Sequence, residues 1–188
     1  MKLKKAQIKN IVFFVFIVLL IIPQTRQPIQ VFLQKGLALI PPSTINEENR
    51  QKIKTYNWRL EDVNGNQSNF SKSQGRVALI NFWATWCPPC IAEMSNLNEL
   101  YLDYSDKVDF YFVSNEDIET LEQFLKKNKY AFNVHSSITQ YPSNFNVSSI
   151  PRTFLIDKKG NIVIDKTGAA NWNSDKVRNA INKLLEEE

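Results

Sequence analysis

The feature that most constrains the fold is an apolar run followed at once by two closely spaced cysteines. Residues 77–83 read Val-Ala-Leu-Ile-Asn-Phe-Trp, and Trp86-Cys87-Pro88-Pro89-Cys90 follows shortly after. A continuous apolar run is typical of a strand at the buried centre of a sheet. Proline is tolerated in the first turn of a helix, so the cysteine segment predicts a helix N-terminus. The cysteine pair therefore lies where a central strand ends and a helix begins.

Few functions are compatible with these cysteines, because they are the only two in 188 residues. Structural zinc needs four ligands, and His135 is the single histidine, so no metal site is predicted. Position 91 is Ile, which excludes haem attachment of the C-x-x-C-H kind. A disulfide closing so short a loop would stabilise little. We predict no metal and no other cofactor, and thiol–disulfide exchange is the leading interpretation.

The position of each cysteine predicts its role. At the first position of a helix, Cys87 faces unpaired backbone N–H groups and the positive end of the helix dipole, which favour its thiolate. Cys90 lies on the same helix face one turn deeper, where it is shielded. We therefore predict that Cys87 attacks a substrate disulfide and that Cys90 resolves the mixed disulfide.

The charge is uneven along the chain. Residues 1–46 carry six basic residues and no acidic one, whereas residues 47–188 carry 17 basic and 19 acidic residues. The folded part thus has no basic excess, and no nucleic-acid partner is predicted.

The N-terminus predicts attachment to a membrane. Lys2, Lys4, Lys5 and Lys9 precede the unbroken apolar run Ile11–Ile22, a pattern shared by export signals and membrane anchors. Twelve residues span only about 18 Å, against about 30 Å of hydrocarbon. No small-x-small cleavage pattern follows directly, so we favour an uncleaved anchor over residues 1–28, with the remainder outside the cytoplasm.

A second apolar pattern follows the anchor. Residues 29–40 place five apolar residues at helical spacing: Ile29, Phe32, Leu33, Leu37 and Ile40. Such a stripe either lies on a membrane surface or packs on the domain or on a partner. We assign residues 29–54 to this amphipathic segment and a linker, and residues 55–188 to the folded domain.

The folded domain alternates strands and helices, which predicts an α/β fold with a central mixed sheet. An N-terminal β-hairpin turns at residues 64–66, and acidic residues 116, 117 and 119 suit a helix start. The predicted strands are 77–83, 108–113, 131–134, 153–156 and 162–165, and the predicted helices are 87–104, 117–128, 175–187 and a short broken one at 137–146.

Two motifs carry a family resemblance. Residues 81–90, Asn-Phe-Trp-Ala-Thr-Trp-Cys-Pro-Pro-Cys, and residues 149–157, Ser-Ile-Pro-Arg-Thr-Phe-Leu-Ile-Asp, resemble the TlpA/ResA-like membrane-anchored thiol–disulfide oxidoreductases of bacteria, within the thioredoxin superfamily. The hairpin over residues 158–166 with Gly168 extends the match, which covers about residues 56–186. The resemblance implies a thioredoxin-like fold around the cysteine pair.

The resemblance also implies site residues. Pro151 matches the cis-proline that faces the cysteine pair, and the peptide at Ile150 is expected to hydrogen-bond an extended substrate. Trp86 and Pro88 are expected to flank the substrate. An ordinary trans proline opening a strand is the alternative for Pro151.

Proton transfer is expected to differ from that of thioredoxin. Thioredoxin carries a buried Asp six residues before its first cysteine, and this chain has Asn81 there. In ResA-like proteins a glutamate at the position of Glu93 modulates the reactivity of the cysteines. We therefore predict Glu93 as the group that exchanges a proton with Cys90. The alternative for Glu93 is a solvated side chain. For Arg152, which follows Pro151, two alternatives are open: it attracts an acidic partner, or it is an exposed side chain without a role.

The function implied by the resemblance is reduction of protein disulfides outside the cytoplasm. Electrons then come from a membrane electron-donor protein, and the substrates include apocytochrome c thiols or other exported disulfides. A disulfide oxidase or isomerase stays open as an alternative, as does a thioredoxin-like binding or chaperone module without redox turnover. A peroxidase of related fold does not match, because it needs a lone nucleophilic cysteine beside Thr and Arg.

Overall fold

The computed structural model describes residues 5–187, so Lys2 and Lys4 lie outside the described residues. The helices are α1 Lys5–Ile21, α2 Pro23–Leu37, α3 Pro88–Tyr104, α4 Ile118–Asn128 and α5 Asp175–Glu186. The strands are β1 Arg59–Asp62, β2 Gln67–Asn69, β3 Ala78–Phe82, β4 Asp109–Val113, β5 Val134–Ser137, β6 Arg152–Ile156 and β7 Ile162–Thr167.

The strands form one seven-stranded mixed sheet in the order β2-β1-β5-β4-β3-β6-β7. β3 pairs in parallel with β4 and antiparallel with β6, so it lies inside the sheet. β1 and β2 form an antiparallel pair, which confirms the predicted N-terminal hairpin. The α/β fold with a mixed central sheet is therefore confirmed.

β3 divides the core into two halves because its side chains alternate between the sheet faces. Leu79 belongs to the half that also contains apolar residues of α3, α4 and α5. Ile80 and Phe82 face the other half, which contains Trp58 and Phe145. All five residues of β3 are buried, as expected for a strand covered on both faces.

The helix starts follow from their capping residues. The Cys87 sulfur accepts a hydrogen bond from Cys90 N–H at 3.3 Å, and Pro88 and Pro89 occupy the first helical positions of α3. Asp117 caps α4 by accepting from Thr120 N–H at 2.8 Å. The predicted strand–helix boundary at the cysteines is thus confirmed.

Two local predictions are wrong. Residues 137–146 form no helix: Ser137 is the last residue of β5, and a turn in which Phe145 N–H donates to Pro142 O at 2.9 Å places the buried Phe145 ring beside Phe154, with ring centroids 5.0 Å apart. The strand expected at 131–134 lies later, at Val134–Ser137, where it pairs with β1 and β4.

The segment before β1 is attached to the sheet. Ile45 N–H donates to Val163 O at 2.8 Å, and Ile53 N–H donates to Gly160 O at 2.8 Å. The domain start at residue 55 stays a prediction, but the backbone of this stretch runs beside β7. Within residues 5–187, no helix combines the length and the apolar composition that crossing a bilayer requires.

Candidate active site

A disulfide joins the two cysteines at the N-terminus of α3. The S–S distance between Cys87 and Cys90 is 2.14 Å, and their Cα atoms are 5.2 Å apart. Cys87 keeps 3% of its surface exposed and Cys90 none. An incoming sulfur therefore has access only to Cys87.

The Ile150-Pro151 peptide lies against this disulfide and is cis, as the resemblance implied. The Cys87 sulfur lies 3.8 Å from the carbonyl oxygen of Ile150. A disulfide sulfur carries no proton, so these two atoms are in contact without a hydrogen bond. After reduction, the Cys87 S–H can donate to the Ile150 oxygen. Gly168 N–H donates to Pro151 O at 2.9 Å and so occupies that carbonyl.

Glu93, three residues after Cys90 on α3, is fully buried and is not solvated on the helix surface. Its carboxyl group accepts from Ala170 N–H and Trp172 Nε1, both at 3.0 Å, and from Asn81 Nδ2 at 3.1 Å. Burial raises the pKa of Glu93 to about 8, although the three donated bonds act in the opposite direction. Glu93 thus titrates close to neutral pH, where thiol exchange takes place.

Asn81 connects Glu93 to the strand that follows the cis peptide. Its Nδ2 donates to Glu93 and, at 2.7 Å, to Thr153 Oγ1. Its Oδ1 is buried and has no hydrogen-bond partner among the described residues. A rotation of the amide would turn Oδ1 toward Glu93, where it could accept a hydrogen bond from the O–H of the protonated carboxyl group.

Glu116 supports the cysteine loop, a role that no sequence pattern indicated. It does not form part of α4, whose N-cap is Asp117. Its two carboxylate oxygens accept from Thr85 N–H and Thr85 Oγ1, both at 2.6 Å. Gln27 Nε2 of α2 donates to Thr85 O at 3.1 Å. The residue two positions before Cys87 is thereby held from both sides.

Trp86 is 66% exposed beside the cysteine pair. It borders a cleft of about 350 Å³ that also contains Ile150, Tyr141 and Glu116. On its other side, a groove of about 540 Å³ runs between α2 and the start of α3, where Pro88 lies. The cysteine pair, Trp86, Pro88, Ile150 and the cis peptide are therefore brought together at one end of the sheet.

Arg152 is neither free nor simply exposed. Its Nε and its Nη2 contact the two Asp165 carboxylate oxygens at 2.6 and 2.7 Å. This bidentate pair joins β6 to β7 and raises the pKa of Arg152, chiefly through the hydrogen bonds that Arg152 donates to Asp165. Arg152 consequently has its acidic partner within the domain.

A disulfide-bonded C-x-x-C pair at a helix N-terminus, in contact with a cis X-Pro peptide at one end of a mixed sheet, defines a thioredoxin-like redox domain. The chain belongs to the Redoxin family, whose model matches residues 42–184. The resemblance to TlpA/ResA-like proteins of the thioredoxin superfamily is confirmed.

The relatives agree with this assignment. The chain is 33% identical over 110 residues to the thiol-disulfide oxidoreductase ResA of Bacillus cereus, covering 57% of this chain and 64% of that protein. It is 36% identical over 106 residues to ResA of Geobacillus kaustophilus, covering 55% and 61%. The chain thus spans less than two thirds of the relatives it matches.

Solved structures show the same fold. A thiol:disulfide interchange protein of the thioredoxin family from Chlorobium tepidum aligns with a TM-score of 0.55 and 21% identity, over 78% of this chain and 97% of that chain. A DsbF homologue from Corynebacterium diphtheriae aligns with a TM-score of 0.58 and 17% identity, over 73% and 90%.

Proposed function

We propose that this protein is a thiol–disulfide oxidoreductase that reduces protein disulfides outside the cytoplasm. The observation that carries the proposal is the Cys87–Cys90 disulfide at the start of α3, with access from solvent to Cys87 alone. The relatives named as thiol-disulfide oxidoreductases support the same chemistry.

The proposed reaction has two exchanges. The Cys87 thiolate attacks one sulfur of the client disulfide, and the other client sulfur leaves and takes up a proton. Cys90 then attacks the Cys87 sulfur, which releases the second client thiol and forms the Cys87–Cys90 disulfide. The client gains two electrons and two protons, and a dithiol protein of the membrane returns the protein to its reduced form.

Cys90 must lose its proton in the second exchange, and we assign this proton to Glu93. Glu93 lies three residues after Cys90 on α3, one helical turn away. Its pKa of about 8 lets it both accept and release a proton near neutral pH. The client segment is assigned to Trp86, Pro88 and the Ile150-Pro151 peptide, which border the cysteine pair.

Insulin reduction by dithiothreitol tests the activity. We expect the protein to accelerate it and Cys87→Ser to abolish the acceleration. Reduced Cys90→Ser protein, incubated with insulin without dithiothreitol, should accumulate client adducts that later addition of dithiothreitol releases. An unchanged rate in Cys87→Ser would instead favour a binding module without redox turnover. Titration of the pair against glutathione gives the direction: a potential near that of thioredoxin, about −270 mV, supports a reductase, and one near −120 mV indicates an oxidase.

We also propose that α1 holds the domain at a membrane, on the extracytoplasmic side of a bacterial cell. α1 exposes an apolar surface made by these residues: Ile11, Val12, Phe13, Phe14, Val15, Phe16 and Val18. The basic residues before the run support a cytoplasmic N-terminus. Carbonate-resistant membrane association and digestion of the domain by protease added to spheroplasts are expected; recovery in the soluble fraction would contradict the attachment.

A further inference from the structure

The apolar stripe on α2 is largely exposed, and its residues Phe32 and Leu33 each border a groove between α2 and the domain. Phe32 is 76% exposed, Leu33 67% and Leu37 52%. A helix that packs on a globular domain normally turns its apolar face inward. A contiguous exposed apolar face marks a surface that contacts something else.

The opposite face of α2 is the one that contacts the domain. Val31 and Ala38 pack with Ala92 of α3 and with Ala169. Gln27 adds its hydrogen bond to the Thr85 carbonyl. These contacts fix the rotation of α2 about its own axis, so the stripe is held outward and is not free to turn toward the core.

The charge around the stripe indicates what covers it. Residues 22–46, which contain α2, carry two basic residues and no acidic one. Arg26 and Lys35, both on α2, are exposed. A second copy of this chain would bring like charges together, whereas anionic lipid headgroups complement a basic, apolar helix.

The helix that carries the stripe follows α1 directly in the chain. Ile22, in extended backbone, separates the two helices and is the N-cap of α2, so the chain bends there. We propose that α2 lies along the surface of an anionic membrane, with Phe32, Leu33 and Leu37 among the acyl chains. The proposal rests on the membrane attachment through α1 proposed above and adds a second, lateral contact.

The placement of α2 on the membrane determines which client segments can reach the cysteine pair. Leu33 and Arg26 also line the 540 Å³ groove that reaches Trp86 and Pro88. One edge of the groove is therefore at the lipid surface, while Cys87 lies beside its other edge. The substrate class is accordingly a polypeptide segment held near the membrane surface.

Spin labels test the depth of α2 in the full-length protein. Leu33→Cys and Leu37→Cys each introduce one cysteine for labelling into the Cys87→Ser/Cys90→Ser variant. The labelled proteins are reconstituted in vesicles of phosphatidylglycerol and phosphatidylethanolamine. Lys35→Cys on the same helix and Glu122→Cys, exposed on α4, are the matched controls. We expect a several-fold higher ratio of oxygen to nickel-complex collisions at residues 33 and 37 than at residues 35 and 122.

Ratios at residues 33 and 37 equal to that at residue 122 would overturn the proposal. A photoreactive benzoylphenylalanine at position 33, in protein with native cysteines, gives an independent result: lipid adducts support it, and cross-linking to a second copy overturns it. Vesicle flotation of the labelled proteins and insulin reduction by the protein with native cysteines are measured alongside. Protein that floats but has water-exposed labels refutes only the α2 contact, whereas loss of flotation or of insulin reduction refutes the attachment or the activity.

Discussion

The pH dependence of stability gives the most direct test of the buried carboxyl group. Glu93 has a pKa of about 8 in the folded protein, against an ordinary value of 4.5. Between these values the folded state binds more protons than the unfolded state, so the free energy of unfolding falls as the pH rises. The contribution of Glu93 is fully present below pH 4.5 and is lost as the pH passes through about 8.

The size of the effect follows from the two pKa values. Each pH unit between them corresponds to about 1.4 kcal/mol, so the loss between pH 5 and pH 8 is about 4 kcal/mol. This is a large part of the roughly 5–15 kcal/mol that stabilises a typical domain. Glu93→Gln keeps the shape and the acceptor oxygen for Ala170 and Trp172 but removes the titration.

Urea unfolding of the oxidised protein from pH 5 to pH 9 measures the difference. The Cys87–Cys90 disulfide does not titrate, and His135, whose pKa burial lowers, contributes equally in both proteins. We expect Glu93→Gln to gain stability relative to the wild type as the pH rises. Glu122→Gln, an exposed acid on α4, is the control. Parallel stability curves for Glu93→Gln and the wild type would refute the raised pKa.

Three further outcomes are expected. Phe112→Ala removes a ring stacked 3.9 Å from Phe132 and should lower the free energy of unfolding by about 3–5 kcal/mol in urea; a smaller loss would mean that the sheet does not depend on this stack. Trp86→Ala should raise KM for insulin reduction while changing stability by no more than about 0.5 kcal/mol, because the ring is exposed. Glu116→Gln should cost about 1.5–3 kcal/mol and slow insulin reduction, because one of the two hydrogen bonds that Thr85 donates is lost and the other no longer has a charged acceptor; full activity at unchanged stability would show that the loop needs no such support.

The parts of the site that were predictable depend on local sequence. The apolar run over residues 77–83 and the prolines after Cys87 set a strand, a cap and a helix start within fourteen residues. The cis-proline at residue 151 was predicted from the motif at residues 149–157, because the resemblance implies that this proline faces the cysteine pair in the fold. These features were confirmed by the structure.

The environment of Glu93 was not predictable from periodicity. Its partners Ala170 and Trp172 lie 77 and 79 residues away in sequence. The spacing of residues within a helix contains no information about contacts between residues so far apart. Glu116 likewise looked like a helix-start acid, because its bond to Thr85 joins two different loops. The stripe on α2 was visible in the sequence, but its direction depends on which face contacts α3.

The contact between α2 and the cysteine loop has a practical consequence for biochemistry. Cutting the chain near residue 42 to obtain a freely soluble enzyme would delete one wall of the groove at Trp86 and leave the Thr85 carbonyl without Gln27. It would also uncover Ala92 on the helix that carries both cysteines. Rates measured on such a trimmed protein would describe a wider, wetter entrance than the one that clients meet in the cell.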